Sequence, residues 1–417
     1  MTNRIRATYE IESPVGVQQA AEVLAGEQST GTFVRLAAET DELRDRSAAR
    51  IEHCVVTGES PTPSLPCRIT ADRYERGQVT ISWPIATMGP SLPNILATVA
   101  GNLFELAELS AIRLLDLHLP REVIEANPGP RFGIAGTRDL MGVPEGPMIG
   151  TIIKPSVGLS AAETASLVRD LAEAGIDFIK DDELQSNGPA CPLEDRANEV
   201  MAVLNAHADR TGKKVMYAFN ITGEIDEMSR RLDLLEELGA TCAMVSLQSL
   251  GLVGLRALRE RSPLPVHGHR NGWGLLSRSP HIGISFPAMQ KLWRLAGADH
   301  LHVNGIGNKF TESDEIVAEA ARAVQTRVSD EGPAFTALPV FSSGQTAWQV
   351  APSAEALGNE DFLFCAGGGI MSHPDGPAAG IRSLRQAAEA YRLGRTVESH
   401  ATERPELLSA LTAFKRK

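Results

Sequence analysis

Phe178-Ile-Lys-Asp-Asp-Glu183 sets four charged side chains at the end of a short apolar run. Buried charges must be paired or bound to metal, so a core strand can carry such a cluster only at its open end. The carboxylates of Asp182 and Glu183 suit a hard divalent cation such as Mg2+, which takes oxygen ligands. Lys180 as an ammonium only repels a cation. It becomes a ligand if its neutral amine takes up CO2 as a carbamate, which demands a pKa depressed by burial or nearby positive charge. The same residues could instead form a solvated acidic loop in which Lys180 neutralises Asp181 or Asp182.

Other chemically able residues recur at regular intervals, each just beyond a short apolar run. Lys154 follows Met148–Ile153, and the acidic cluster follows Ile176–Ile179. Asn220 follows Lys214–Phe219. The run Leu264–His267 ends in His267, His269 and Arg270, and Asp299–Val303 contains His302 and leads toward Lys309. Ser342, Ser343 and Gly344 follow Leu338–Phe341, and Gly367-Gly-Gly369 follows Phe362–Cys365. With Cys242–Leu247 these make eight candidate strands. Helical patterns lie between them, among them Ser160–Ala174, Asp226–Leu238, Phe286–Leu295, Thr311–Gln325 and Ser353–Leu357. Eight strand–helix units over about 250 residues are what a parallel (β/α)8 barrel requires, and a barrel gathers its strand ends at one mouth, where active sites lie.

At such a mouth the glycines at 344, 367 and 368 could present backbone N–H groups to a phosphate, although tight turns use glycine too. Arg270 and His302 could hold a second anion, a phosphate or a carboxylate; either residue alone is as readily structural. Lys309 follows Asn304-Gly-Ile-Gly-Asn308, a loop that could close over a ligand or stay solvated. A metal, a lysine-derived base, a lysine acid and a phosphate cradle together suit enolisation of a phosphorylated ketose or keto acid.

The rest of the chain frames this site. Of 417 residues, 43% are apolar and 22% charged, enough for a large core and two or three domains. The net charge of −12 without a basic block argues against nucleic acid or an anionic membrane as partner. No run approaches the ~18 apolar residues of a membrane span. The N-terminal residues lack the apolar segment of a signal peptide, and the five cysteines have no metal-ligand spacing, so a cytoplasmic protein with reduced thiols is expected. Residues 1–130 read as a smaller α+β domain. Its expected strands are Ile5–Ile11, Thr32–Leu36, Arg50–Thr57, Cys67–Asp72 and Gln78–Pro84, and its expected helices Val15–Ala25 and Leu92–Leu106. Asn127-Pro-Gly-Pro130 marks the linker, and 131–417 form the barrel domain with a helical tail from Val397.

Over nearly its whole length the chain resembles the large subunit of ribulose-bisphosphate carboxylase (RuBisCO), and more closely the RuBisCO-like proteins. Gly150-Thr-Ile-Ile-Lys-Pro-Ser-Val-Gly-Leu-Ser160 is similar to the first strand-end motif, and Phe178–Glu183 to the metal motif. His267-Gly-His-Arg270 is similar to the fifth-strand motif and Asp299-His-Leu-His302 to the sixth. The resemblance implies an α/β fold, a C-terminal TIM barrel behind a ferredoxin-like N-terminal domain. It implies Lys154 as acid/base lysine and one Mg2+ per site on carbamylated Lys180, Asp182 and Glu183. His269 and the mobile-loop Lys309 join the catalytic set, and Arg270, His302, Ser342, Gly344, Gly367 and Gly368 bind substrate. Glu27-Gln-Ser-Thr-Gly-Thr32 and Gly101-Asn-Leu-Phe104 place Glu27, Thr32 and Asn102, which in the family reach the other subunit's barrel; an obligate homodimer with shared sites is implied.

Four positions depart from the carboxylases: Ser156 replaces a lysine, Trp273 a histidine, Phe33 a tryptophan and Ile152 a threonine. They argue against ribulose bisphosphate carboxylation and leave Mg2+ enolate chemistry in place. Among the reactions of RuBisCO-like proteins, the cations Lys154, His269, Arg270, His302 and Lys309 favour a substrate with both phosphate and carboxylate. The expected reaction is decarboxylation of 3-oxo-isoapionate 4-phosphate to L-erythrulose 1-phosphate and CO2. The methionine-salvage reactions, enolisation of 2,3-diketo-5-methylthiopentyl-1-phosphate or isomerisation of 5-methylthioribulose-1-phosphate, are the alternatives. A non-catalytic sugar-phosphate-binding barrel is the alternative class, against which the near-complete residue set argues.

Overall fold

The structure, a computed structural model, describes residues 3–31 and 36–416. The chain forms two compact units. One comprises Met1–Asn127, Gly272–Ala296 and Arg327–Ala334; the other Pro128–Asn271, Gly297–Thr326 and Phe335–Lys417.

In the first unit, β1 (Arg4–Ser13), β2 (Arg50–Ser60), β3 (Tyr74–Pro84) and β4 (Ala111–His118) build an antiparallel sheet. Period-two patterning turns Ile5, Ala7, Tyr9 and Ile11 of β1 into the core beside Val79, Ile81 and Trp83 of β3. The helix Val17–Glu27 covers that face with Val17, Ala20, Ala21 and Leu24, the spacing of one helical stripe. Gly77 permits the approach, since a Cβ there would lie 2.5 Å from Val17 Cγ1.

The second unit contains the closed barrel. Its strands are β5 (Met148–Ile152), β6 (Phe178–Lys180), β7 (Met216–Asn220), β8 (Cys242–Ser246) and β9 (Val266–His269). After these, β10 (Ile282–Ile284) joins the first unit's sheet, parallel to β4. The barrel resumes with β11 (His300–Asn304), β12 (Leu338–Phe341) and β13 (Leu363–Cys365), all eight strands parallel. Phe178, Met216, Met244, Val340 and Leu363 pack in its interior, with Met141 of the helix Gly133–Met141 against the same core. The (β/α)8 expectation is met.

Several local expectations fail. Cys67–Asp72 is irregular chain, not a strand; Pro63 and Pro66 just before it remove ladder donors. Leu92–Leu106 is two pieces, a helix Leu92–Val99 and a 3-10 turn Asn102–Glu105. They are split at Gly101, whose Cβ would lie 2.2 Å from Ala97 O. The tail is two short helices, Val397–Ala401 and Pro405–Ala413. Of the expected strand Thr32–Leu36, residues 32–35, with the site residue Thr32, lie outside the described residues.

Candidate active site

The chemically able side chains stand at the barrel strand ends. Asp181 is fully buried and spent on structure: Arg196 grips it through Nε at 3.1 and 3.2 Å and Nη2 at 3.0 Å. Tyr217 Oη donates to it at 2.6 Å, and the Asn220 backbone N–H at 2.9 Å. Burial opposes the charge on Arg196, and Asp181 more than offsets it, so the guanidinium pKa is raised.

Asp182 faces the mouth. Lys154 Nζ meets its Oδ2 at 2.6 Å and also donates to Ser156 Oγ at 2.7 Å. Lys154 is 41% exposed and Asp182 3%, so the lysine is the partner open to a ligand. Burial pushes the Asp182 pKa up, but Lys154 and the Leu184 N–H outweigh it and the net shift is downward.

Lys180, 1% exposed, donates to Asp181 O at 2.8 Å and lies 3.6 Å from Glu183 Oε2. Burial depresses its pKa, which favours the neutral amine that carbamylation needs. His269 Nε2 stands 3.4 Å from the same Glu183 oxygen. Burial, with Lys180 beside it, lowers the His269 pKa to about 4, so the ring is neutral and this contact is not an ion pair. Among the described residues no three His, Cys, Asp or Glu side chains gather as a ready-made metal cage. Asp182, Glu183 and a carbamate on Lys180 would complete one: three anionic oxygen donors, as a hard cation requires. The residues therefore fit the implied Mg2+ and carbamate.

A hydrogen-bonded row of buried histidines crosses the barrel. Thr137 Oγ1 donates to Gly133 O, so His300 Nε2, 2.8 Å away, must be the donor to that hydroxyl. Burial holds His300 near a pKa of about 4 and His267 and His302 well below their usual value, so each ring carries one proton. The order is then forced. His267 Nδ1 donates to His300 Nδ1 at 3.3 Å, His302 Nε2 to His267 Nε2 at 2.8 Å, and Ser342 Oγ to His302 Nδ1 at 3.0 Å. His302 has no ring nitrogen left for an anion.

Arg270 Nη2 is ion-paired with Glu312 Oε2, and Asn304 Nδ2 donates to that oxygen at 2.5 Å. Burial lowers the Arg270 pKa, partly restored by Glu312. The abundance of cations read from sequence is thus largely answered from within: Lys154 by Asp182, Arg270 by Glu312, and both mouth histidines by neutrality. Lys309 is exposed beside the Phe310 ring, 5.2 Å from its centroid. Asn304 and Ser343 take left-handed backbone (φ 67° and 74°), conformations that cluster at functional sites.

At β12 and β13, Gly344, Gly368 and Gly369 line a cavity of about 310 Å3 with Gln345, Thr346 and the tail residue Lys415. A Cβ on Gly367 would lie 3.8 Å from Lys154 Cε, which sets the glycine turn beside Lys154. In the first unit, Glu27 ends its helix and Asn102 opens the 3-10 turn. Gln28 Nε2 would be 2.9 Å from a Cβ on Gly101, so the two turns adjoin. Trp273 packs on Phe286 and Trp293, at centroid distances of 5.9 and 5.3 Å, as a buried aromatic. Of the departures, Ser156 touches the chemistry and Trp273 serves packing. Arg196, Glu312 and Lys415 were not marked by sequence; only their partners reveal them.

An enolising barrel with a two-carboxylate, buried-lysine motif and a glycine cradle is the class this site defines. The chain belongs to the ribulose bisphosphate carboxylase large-chain family: the catalytic-domain description matches residues 133–414 and the N-terminal-domain description residues 2–123. It is 53% identical over 411 residues to the 3-oxo-isoapionate-4-phosphate transcarboxylase/hydrolase of Xanthobacter autotrophicus, covering 99% of both chains. It is 41% identical to the 3-oxo-isoapionate-4-phosphate decarboxylase of Rhizobium etli over 98% of both. A crystal structure of a rubisco-like protein from Burkholderia fungorum superposes with a TM-score of 0.93 at 44% identity, covering 99% of this chain and 100% of that one.

Proposed function

We propose that this protein is a carboxy-lyase that acts on 3-oxo-isoapionate 4-phosphate, yielding L-erythrulose 1-phosphate and CO2. The observation that carries this reading is that relatives at 53% and 41% identity, aligned end to end, are both named for that substrate. Bound Mg2+, held by Asp182, Glu183 and the carbamate of Lys180, would polarise the substrate's oxo group and stabilise the enediolate. The substrate phosphate lies in the glycine cradle at Gly344, Gly367 and Gly368. The bond to the carboxylate carbon breaks, and its electron pair moves into the enediolate as CO2 leaves. Lys154, at the mouth beside the cradle, protonates the resulting carbanionic carbon. Lys309 closes over the bound ligand. Glu27, Thr32 and Asn102 complete the site of a second copy in a homodimer, and the protein works in the cytoplasm. No helix among the described residues is long and apolar enough to cross a membrane.

The higher identity to the transcarboxylase/hydrolase favours a second reading, in which the carboxylate is transferred and the product hydrolysed. Substrate labelled with 13C at the carboxylate, with Mg2+ and bicarbonate, separates them. Label leaving as CO2 in equal amount to erythrulose phosphate supports decarboxylation. Label retained in a new acid moves the protein to the second reading, and no turnover of this substrate overturns both.

A further inference from the structure

The Arg270, His302 and Ser342 cluster is the place where sequence puts a second anion, and its hydrogen bonds speak against one. The proton order set by Thr137 makes His302 donate to His267 and Ser342 donate to His302. Neither retains a proton to offer a phosphate oxygen. Arg270 is answered by the Glu312 carboxylate. Glu312 is itself held in place. Ser343 Oγ donates to Asn304 Oδ1 at 3.0 Å, which turns the amide so that Asn304 Nδ2 meets Glu312. Asn308 Nδ2 donates to the Glu312 backbone oxygen at 3.1 Å. A phosphate arriving here would meet the partly buried Glu312 carboxylate, with like charges close together in a low dielectric. A hydroxyl, which donates, would find acceptors.

We propose that Glu312 is a specificity-determining residue that restricts this enzyme to monophosphates by filling the second anion site, which then receives an uncharged, hydroxyl-bearing end of the substrate. This rests on the proposed reading for the position of the single phosphate in the glycine cradle. It assigns no role in bond breaking to Glu312.

The test is the ratio of two affinities, measured by calorimetry with Mg2+ present, for ribulose 1,5-bisphosphate and ribulose 5-phosphate, which differ by one phosphate. Glu312→Gln keeps the acceptor and the shape while removing the charge. The ratio should shift toward the bisphosphate by at least about tenfold, the scale of one charge-assisted contact. In Arg270→Met/Glu312→Gln the gain should vanish, because the cation that captures the second phosphate is gone. Melting curves of both variants report folding, and Glu312→Ala repeats the measurement if Glu312→Gln is unfolded. An unchanged ratio, or equal tightening of both sugars, overturns the assignment. These readouts need no turnover, so a protein that fails to act on the oxo acid loses the proposed reaction while the ratio still decides the role of Glu312.

Discussion

Asp181 and Asp182 are neighbours in the chain and opposites in the fold. Asp181 sits under the mouth, where Arg196, Tyr217 and Asn220 saturate it with fixed donors. Asp182 sits at the mouth, where its ion-pair partner Lys154 is 41% exposed and shared with Ser156. A carboxylate surrounded by buried donors cannot exchange them without large cost. Asp182 has one backbone donor, the Leu184 N–H, and an exposed amine that it can trade for a ligand. The difference separates a scaffold region from a reactive region within three residues of sequence.

Lys180 is buried like Asp181 but lies beside Glu183, and we expect it to behave as part of the reactive region. Lys180→Met fills the same space without an amine. Turnover should fall by about a thousandfold or more, the several kcal/mol that a lost metal centre represents. The stabilisation of the parent protein by Mg2+ with bicarbonate should disappear with it. A variant that keeps both would remove Lys180 from the metal site. The scaffold region predicts the reverse pattern. Arg196→Met strands a buried carboxylate and should cost about 3–5 kcal/mol of stability in denaturant titration. A loss below about 1 kcal/mol would show that Asp181 is not held as described.

Much of this was legible in sequence, and what was not has physical reasons. The eight barrel strands announced themselves because strands buried on both faces read as continuous apolar runs. By contrast, β4 carries a weak strand signal, since Arg113, Asp116 and His118 interrupt its apolar residues. Strand β10 has only Ile282-Gly-Ile284 to show, and its partner lies about 170 residues earlier. The acidic cluster was legible as a site, but the division of labour within it was not. Arg196 selects Asp181 from a helix that begins beyond the motif. In the same way the ion pair of Arg270 was not legible, because Glu312, 42 residues on, carries no local signal that it will turn back. Residue types and spacing fix which groups reach the mouth. Partners distant in sequence decide which of them remain available.

The histidine row is closed like the Asp181 region yet held without charge. His300, His267 and His302 are all buried with pKa values below the usual histidine range, His300 at about 4. In the unfolded chain the same residue takes up a proton near pH 6.5. Between about pH 6.5 and 4 the unfolded state therefore binds more protons than the folded state, and stability must fall as pH falls. For His300 alone this amounts to about 2 kcal/mol between pH 6.5 and 5, from ~1.4 kcal/mol per pH unit. Chemical denaturation at pH 7 and pH 5 should show this loss, and His300→Gln, which does not titrate, should show a shallower decline over the same window. If the slope is unchanged in His300→Gln, the His300 ring is not the neutral donor on which the order of the row depends. The assignment of Ser342 as a donor to His302 would then have to be reversed, and with it the reason that His302 and Ser342 have no proton to offer a phosphate.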